Sequence, residues 1–144
     1  MNRIKLKLPE SFSFYTEIHI RITDLNYGGH VGNDSFLGLI QEARQQYLKK
    51  FGYAELAFEG LGLIMADSVV EYKRELNYGD LVKISVQAAD FDKLGFDLFY
   101  LLEIINRHEP IIAGKAKTGM ICYDYLNKKK TSIPEIALEK LIKG

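Results

Sequence analysis

The chain has 144 residues, 47% of them hydrophobic, with nine Tyr and eight Phe. That length supports one domain whose core stands without disulfides, and that composition excludes disorder. Nineteen basic and nineteen acidic residues give no net charge, which argues against a nucleic-acid surface. The lone cysteine, Cys122, excludes an internal disulfide; within a strand-like run it reads as a core residue rather than a nucleophile. No stretch reads as a signal peptide or has the apolar length of a membrane span. The expectation is one cytoplasmic domain over residues 1–144, with neither membrane nor nucleic acid as a partner.

Residues 1–13 alternate loosely around Pro9 and read as an extended lead-in. From Phe14 the alternation sharpens. Ile18, Ile20 and Ile22 share one face, and Glu17, His19, Arg21 and Thr23 the other, the period-two sign of a half-buried strand. His19 falls on the solvent side. Ile22 to Asp34, ITDLNYGGHVGND, is a polar glycine-rich loop and the best site candidate. Asp34 to Phe51 is the clearest helix, because Phe36, Ile40, Ala43, Tyr47 and Phe51 recur at three- and four-residue intervals. Asn33 or Asp34 can cap its start and Gly52 can end it. Gly38 inside it predicts close approach of another backbone, and Tyr53 to Glu59 reads as a further helical turn.

From Leu63 the pattern is strand. Leu63–Leu76, Val82–Ala88, Phe96–Ile104 and Ile111–Leu126 are extended runs separated by turn chemistry. The turns are Asn77–Asp80, Asp92–Gly95 (Gly95 suiting a left-handed position) and Asn106–Pro110, which holds His108. Lys128 to Lys130 form a basic turn, and Pro134 opens a short helix through Lys143. Tight turns between consecutive strands predict antiparallel pairing. The economical architecture is α+β, an antiparallel sheet wrapped around one long helix. Phe99, Leu101 and Ile105 alternate against the helix-facing set of their strand, as do Ile111, Ile121 and Tyr123 against Ile112, Ala116 and Met120. A homo-oligomer is the expected cover for that second apolar face.

Within the loop, strand parity turns Asp24 inward, where burial would raise its pKa and leave a poised base or a capping acid. His30 lies four residues before the helix and is the only histidine beside candidate partners. Gly28, Gly29 and Gly32 let a ligand approach the backbone, and the helix start adds positive potential suited to an oxyanion. The same residues also fit a structural role, Asp24 capping a turn and His30 satisfying a loop carbonyl; composition leaves the two readings even. The spacing lacks the His and Cys pattern of a zinc site, so no metal is expected. A Ser-His-Asp arrangement would need Ser35 or Ser68 at His30, and nothing local brings them there.

Arg21 to Arg44, RITDLNYGGHVGNDSFLGLIQEAR, resembles the signature of the hotdog-fold thioesterases, in the branch that includes the 4-hydroxybenzoyl-CoA and acyl-ACP thioesterases. Their usual form is a D-x-D-x-x-G-H-V-x-N loop before a helix ending in E-A-R. Val70 to Asp80, VEYKRELNYGD, is similar to the strand and turn that follow that helix. The resemblance implies the hotdog fold: a five- to six-stranded antiparallel sheet around a long central helix, paired through sheet edges into homodimers, often homotetramers. It implies hydrolysis of an acyl thioester of coenzyme A or acyl carrier protein, with no metal and no cofactor beyond coenzyme A within the substrate.

By position the resemblance assigns catalysis to Asp24, His30 and Asn26, and substrate binding to Gly29 and Asn33; Tyr27 of the loop and Asp67, early in the next strand, join them as candidate substrate contacts. His30 and Asp24 would orient or deprotonate water, and a backbone N–H beside Gly29 would polarise the thioester carbonyl. Asn26 departs from the pattern: many members carry a second Asp there, and a carboxamide cannot accept a proton as a carboxylate does. Asp24 or Asp67 would then have to supply the base. Lys73, Arg74 and Lys93 are candidates for the coenzyme A phosphates. Asn26 keeps a second reading open, a non-catalytic acyl-CoA-binding module. A dehydratase on the same fold is disfavoured, since its long-helix signature is absent.

Overall fold

The computed structural model describes residues 1–144. One long helix, α1 (Asn33–Lys50), packs on an antiparallel sheet of β1 (Phe14–His19), β2 (Gly62–Tyr72), β3 (Leu81–Ala89), β4 (Gly95–Ile104), β5 (Ile111–Asp124) and the short β6 (Lys129–Lys130). A second helix, α2 (Glu135–Lys143), closes the chain. The strand order is β1-β3-β4-β5-β2, with β6 on β5. This is the α+β hotdog arrangement, with six strands. No helix is long and apolar enough to cross a membrane.

The apolar stripe of α1 buries Phe36, Leu39, Ile40, Ala43, Tyr47 and Leu48. Val82, Ile84 and Val86 of β3, the alternate residues Phe96 to Ile104 of β4, and Ala116, Met120 and Cys122 of β5 face it. Each large apolar side chain removed from water here contributes about 1.5–3 kcal/mol. Burial pushes the Cys122 thiol up to about 11, which suits a core residue and not a nucleophile. The helix starts from Gly32 rather than from Asn33 or Asp34, and no side chain caps it. Gly52, with φ of 82°, ends it as expected.

Local departures from the periodic reading each have a geometric cause. β1 stops at His19, and a 3-10 turn over Ile22–Asp24 breaks its parity, leaving Ile22 69% exposed. Residues 53–59 are not helical; the isolated bridges Ala54↔Ala57 and Phe58↔Leu61 hold the segment instead. β2 and β3 do not pair, because residues 73–80 carry the chain from one side of the sheet towards the other, and β2 pairs with β5 as an edge strand. In β5, Leu102↔Gly114 is followed by Glu103↔Ile112, so Ala113 is an extra residue. That bulge turns Ile112 outward and lets Ile111 pack on the core, the reverse of the alternation prediction. Gly95 is not left-handed: it opens β4 where a Cβ would overlap the Met120 carbonyl. Gly38 meets no backbone at all, and a Cβ there would stand in open space.

The outer sheet face has a cover that periodicity did not reveal. Phe99 points away from α1 yet is only 6% exposed. The Leu6 N–H donates to the Glu71 carboxylate of β2 at 2.9 Å, and the Ser13 N–H donates to Gln87 Oε1 of β3 at 2.7 Å. Residues 6–13 thus form a strap between two outward-facing side chains on either side of β4 and β5.

Candidate active site

The glycine-rich loop is a small hairpin closed by the Leu25↔Val31 bridge. Asn26 holds it three ways: its N–H donates to the His30 carbonyl at 2.9 Å, its carbonyl accepts the Gly29 N–H at 3.1 Å, and its Oδ1 accepts the Gly28 N–H at 2.8 Å. Gly29 sits at φ of 83°, where a side chain would be strained. Tyr27, at the tip, is fully exposed. The Val31 N–H donates to the Leu76 carbonyl at 2.9 Å, which ties the returning limb to the segment after β2.

That tie brings His30 into a cleft of about 290 Å³ with Asn33, Phe36, Tyr72, Lys73, Arg74 and Glu75. His30 Nδ1 lies 3.3 Å from the Val31 carbonyl. With the proton on Nδ1, that contact leaves the Nε2 lone pair free, 3.8 Å from Glu75 Oε1. Glu75 is a functional candidate the sequence reading missed. Only the crossing of residues 73–80 places it beside a loop so far back in the chain. The Phe36 and Tyr72 rings stack edge to face at 5.0 Å and form the apolar wall.

Backbone donors gather at the same end. Because α1 has no side-chain cap, the N–H groups of Asn33, Asp34 and Ser35 have no partner within the chain, and neither does the His30 N–H. The Gly29 N–H is already engaged by Asn26. Donors for an oxyanion are therefore offered by His30 and the first turn of α1, beside the glycine singled out by motif.

The two acids lie elsewhere. Asp24 is 7% exposed and lines a separate cleft with Glu17, His19, Arg21, Ser35 and Glu42. Its Oδ2 accepts the Arg21 backbone N–H at 2.8 Å, and its Oδ1 lies 3.1 Å from Arg21 Nη2. Burial pushes its carboxyl up, but the Arg21 guanidinium and N–H outweigh it and hold the group below the usual range. The rise expected from burial is not found. Asp67 follows a bulge in β2 and pairs with Lys117 Nζ at 2.9 Å and the Gly119 N–H at 3.0 Å. The structure thus brings His30 and Asn33 together, places Asn26 and Gly29 in the turn that carries His30, and sets Asp24 and Asp67 apart. Lys73 pairs with Glu71 at 2.8 Å, whereas Arg74 makes no ion pair.

A sequence profile of the thioesterase-like superfamily matches residues 20–141. The chain belongs to that superfamily. A relative from Aquifex aeolicus (strain VF5), named "Putative esterase", is 28% identical over 115 residues, covering 78% of this chain and 85% of that one. Among solved structures, a thioesterase from Thermus thermophilus, complexed with coenzyme A and Zn, superposes with a TM-score of 0.79 at 22% identity, covering 94% and 96% of the two chains. Slr0204, a 1,4-dihydroxy-2-naphthoyl-CoA thioesterase from Synechocystis, gives 0.78 at 17% identity, covering 90% and 95%. At these identities the structural likeness speaks for the fold, and superfamily membership points to thioester hydrolysis.

Proposed function

We propose that the protein hydrolyses an acyl thioester of coenzyme A, with His30 as the general base. The observation that carries this reading is a cleft that holds the His30 imidazole and Asn33 beside the uncapped start of α1, where the backbone N–H groups of His30, Asn33, Asp34 and Ser35 have no partner within the chain. In the reaction His30 Nε2 takes a proton from water, whose oxygen attacks the thioester carbonyl carbon. The oxyanion is held by the His30 N–H and the start of α1. Collapse breaks the carbon–sulfur bond, and the imidazolium returns its proton to the departing thiolate. Glu75 stabilises that imidazolium, and Asn33 holds the water or the carbonyl. Asp24, tied to Arg21, and Asn26, tied to Gly28, set the loop rather than move protons. Arg74, which makes no ion pair, is placed in the cleft for the phosphates of coenzyme A, with Lys73, held by Glu71, beside it, which favours that carrier over acyl carrier protein. The coenzyme A found in the Thermus thermophilus relative supports the same choice.

The working unit in this reading is a homodimer joined along β2. That strand is a free edge, and Met65 to Ser68 are exposed in succession along it. The single buried thiol fits a reducing compartment, the cytoplasm.

The second reading is an acyl-CoA-binding module without turnover, favoured by a carboxamide at position 26. Release of free thiol from a panel of acyl-CoA esters separates the two. Sustained release stoichiometric with free acid supports the hydrolase, whereas tight binding with no release over hours decides for the module.

A further inference from the structure

A second cleft opens between α1 and β2, about 260 Å³ in volume, lined among others by Asp34, Leu37, Arg44, Met65, Ser68 and Thr118. Its inner end is built around a buried charge. The Arg44 side chain is only 5% exposed; its Nε donates to Glu55 Oε1 at 2.6 Å, and its Nη1 donates to the Tyr100 hydroxyl at 3.3 Å. The Tyr100 hydroxyl in turn lies 2.8 Å from Thr118 Oγ1. Nη2 makes no hydrogen bond within the chain and is not fully enclosed, since the Tyr47 hydroxyl is the one fully enclosed side-chain nitrogen or oxygen without a partner. A buried guanidinium with open donors on a cavity wall is costly unless something fills the place.

The cleft begins at Asp34 in the first turn of α1, one residue on from Asn33 of the His30 cleft. Arg44 is ten residues further on, about 15 Å along the axis. Helix side chains lean toward the N-terminus, so the Arg44 head returns part of that distance. An acyl chain leaving a thioester at the helix start and lying between Leu37 and Met65 ends near the guanidinium. Charge narrows the choice of tail. Arg44 is already neutralised by Glu55, and Asp34 stands at the mouth, so a second carboxylate would meet two negative groups. A hydroxyl or keto oxygen accepts from Nη2 without adding charge.

We propose that this cleft takes the acyl group of the substrate and that Arg44 selects acyl chains carrying a neutral hydrogen-bond-accepting oxygen at the far end. The proposal rests on the acyl-CoA reading above and names the acyl class it left open.

The test compares octanoyl-CoA, 8-hydroxyoctanoyl-CoA and octanedioyl-CoA, with binding read by calorimetry and turnover by thiol release. The proteins are wild type, Arg44→Met and Arg44→Lys, the last keeping a cation for Glu55 so that the fold is preserved. In wild type the hydroxy ester binds at least about tenfold tighter than the plain one, as expected for a charge-assisted hydrogen bond, and the dicarboxylic ester binds weakest. In Arg44→Lys the preference falls below about threefold, since the second nitrogen of the fork is gone. Equal binding of the plain and hydroxy esters by wild type overturns the proposal, as does a preference that survives in both folded variants. Turnover without preference leaves the hydrolase standing and removes the acyl assignment; preference without turnover does the opposite; no binding of any ester removes both.

Discussion

Asp24 and Asn26 are both tied into backbone turns of the loop, and in the proposed reaction the same loop presents His30 for the chemistry. Asp24 closes the 3-10 turn by accepting the Arg21 N–H, as a capping carboxylate does. Asp24→Ala should lower stability by about 1 kcal/mol in urea unfolding at pH 7. Because the folded carboxyl is held below its ordinary value of 3.8, this stabilisation is complete above the ordinary carboxylate range. It fades as the pH falls through the lowered folded value, so the gap between wild type and Asp24→Ala should narrow in acid. Asn26→Asp keeps an acceptor for the Gly28 N–H, whereas Asn26→Ala loses it. The alanine variant should therefore be the less stable of the two by about 1 kcal/mol in the same assay. The residues of the loop were legible in the sequence as chemistry-bearing types, and His30 beside the helix start followed from the motif. Their partners were not. Glu75 comes from beyond β2, and the bonds that tie Asp24 and Asn26 into turns depend on backbone angles that side-chain spacing does not encode.

At the scale of elements, α1 and the long strands were legible because their apolar periods agree with the structure, from Phe36 through Leu48 and from Phe96 through Ile104. Failures came wherever a single residue changes parity. The turn after His19 exposed Ile22, and the bulge at Ala113 exchanged Ile111 with Ile112. Strand neighbours were harder still, since a turn-like segment at residues 73–80 spans the sheet instead of folding a hairpin. Gly38 does not pack against another backbone as its place inside the helix predicts, and its open surroundings give a clear expectation. Gly38→Ala should stabilise the protein by about 0.5–1 kcal/mol, because helix propensity improves and nothing is struck. A shift of the urea midpoint to higher concentration with unchanged slope would show it; a lower midpoint would mean a neighbour the isolated chain lacks.

For the molecule as a whole, the two sheet faces have different covers. The inner face carries α1, and the outer face around Phe99 is crossed by the strap of residues 6–13, so outer-face apolarity alone no longer demands a second subunit. The free edge of β2 does argue for one. Sedimentation should give a species of twice the 16.5 kDa chain mass, or a multiple of it, and a monomer at micromolar concentration would remove the dimer. Superfamily membership was legible in the loop and helix motif, whereas the separation of the acids from the His30 cleft needed coordinates. The central claim is that His30, and not Asp24, carries the proton chemistry. It is tested most directly by kcat/KM for an acyl-CoA ester in wild type, His30→Ala and Asp24→Asn, each shown to be folded. A loss of at least about a hundredfold in His30→Ala is expected, with Asp24→Asn within about tenfold of wild type; a His30→Ala enzyme as active as wild type, or an Asp24→Asn enzyme as impaired as His30→Ala, would contradict it.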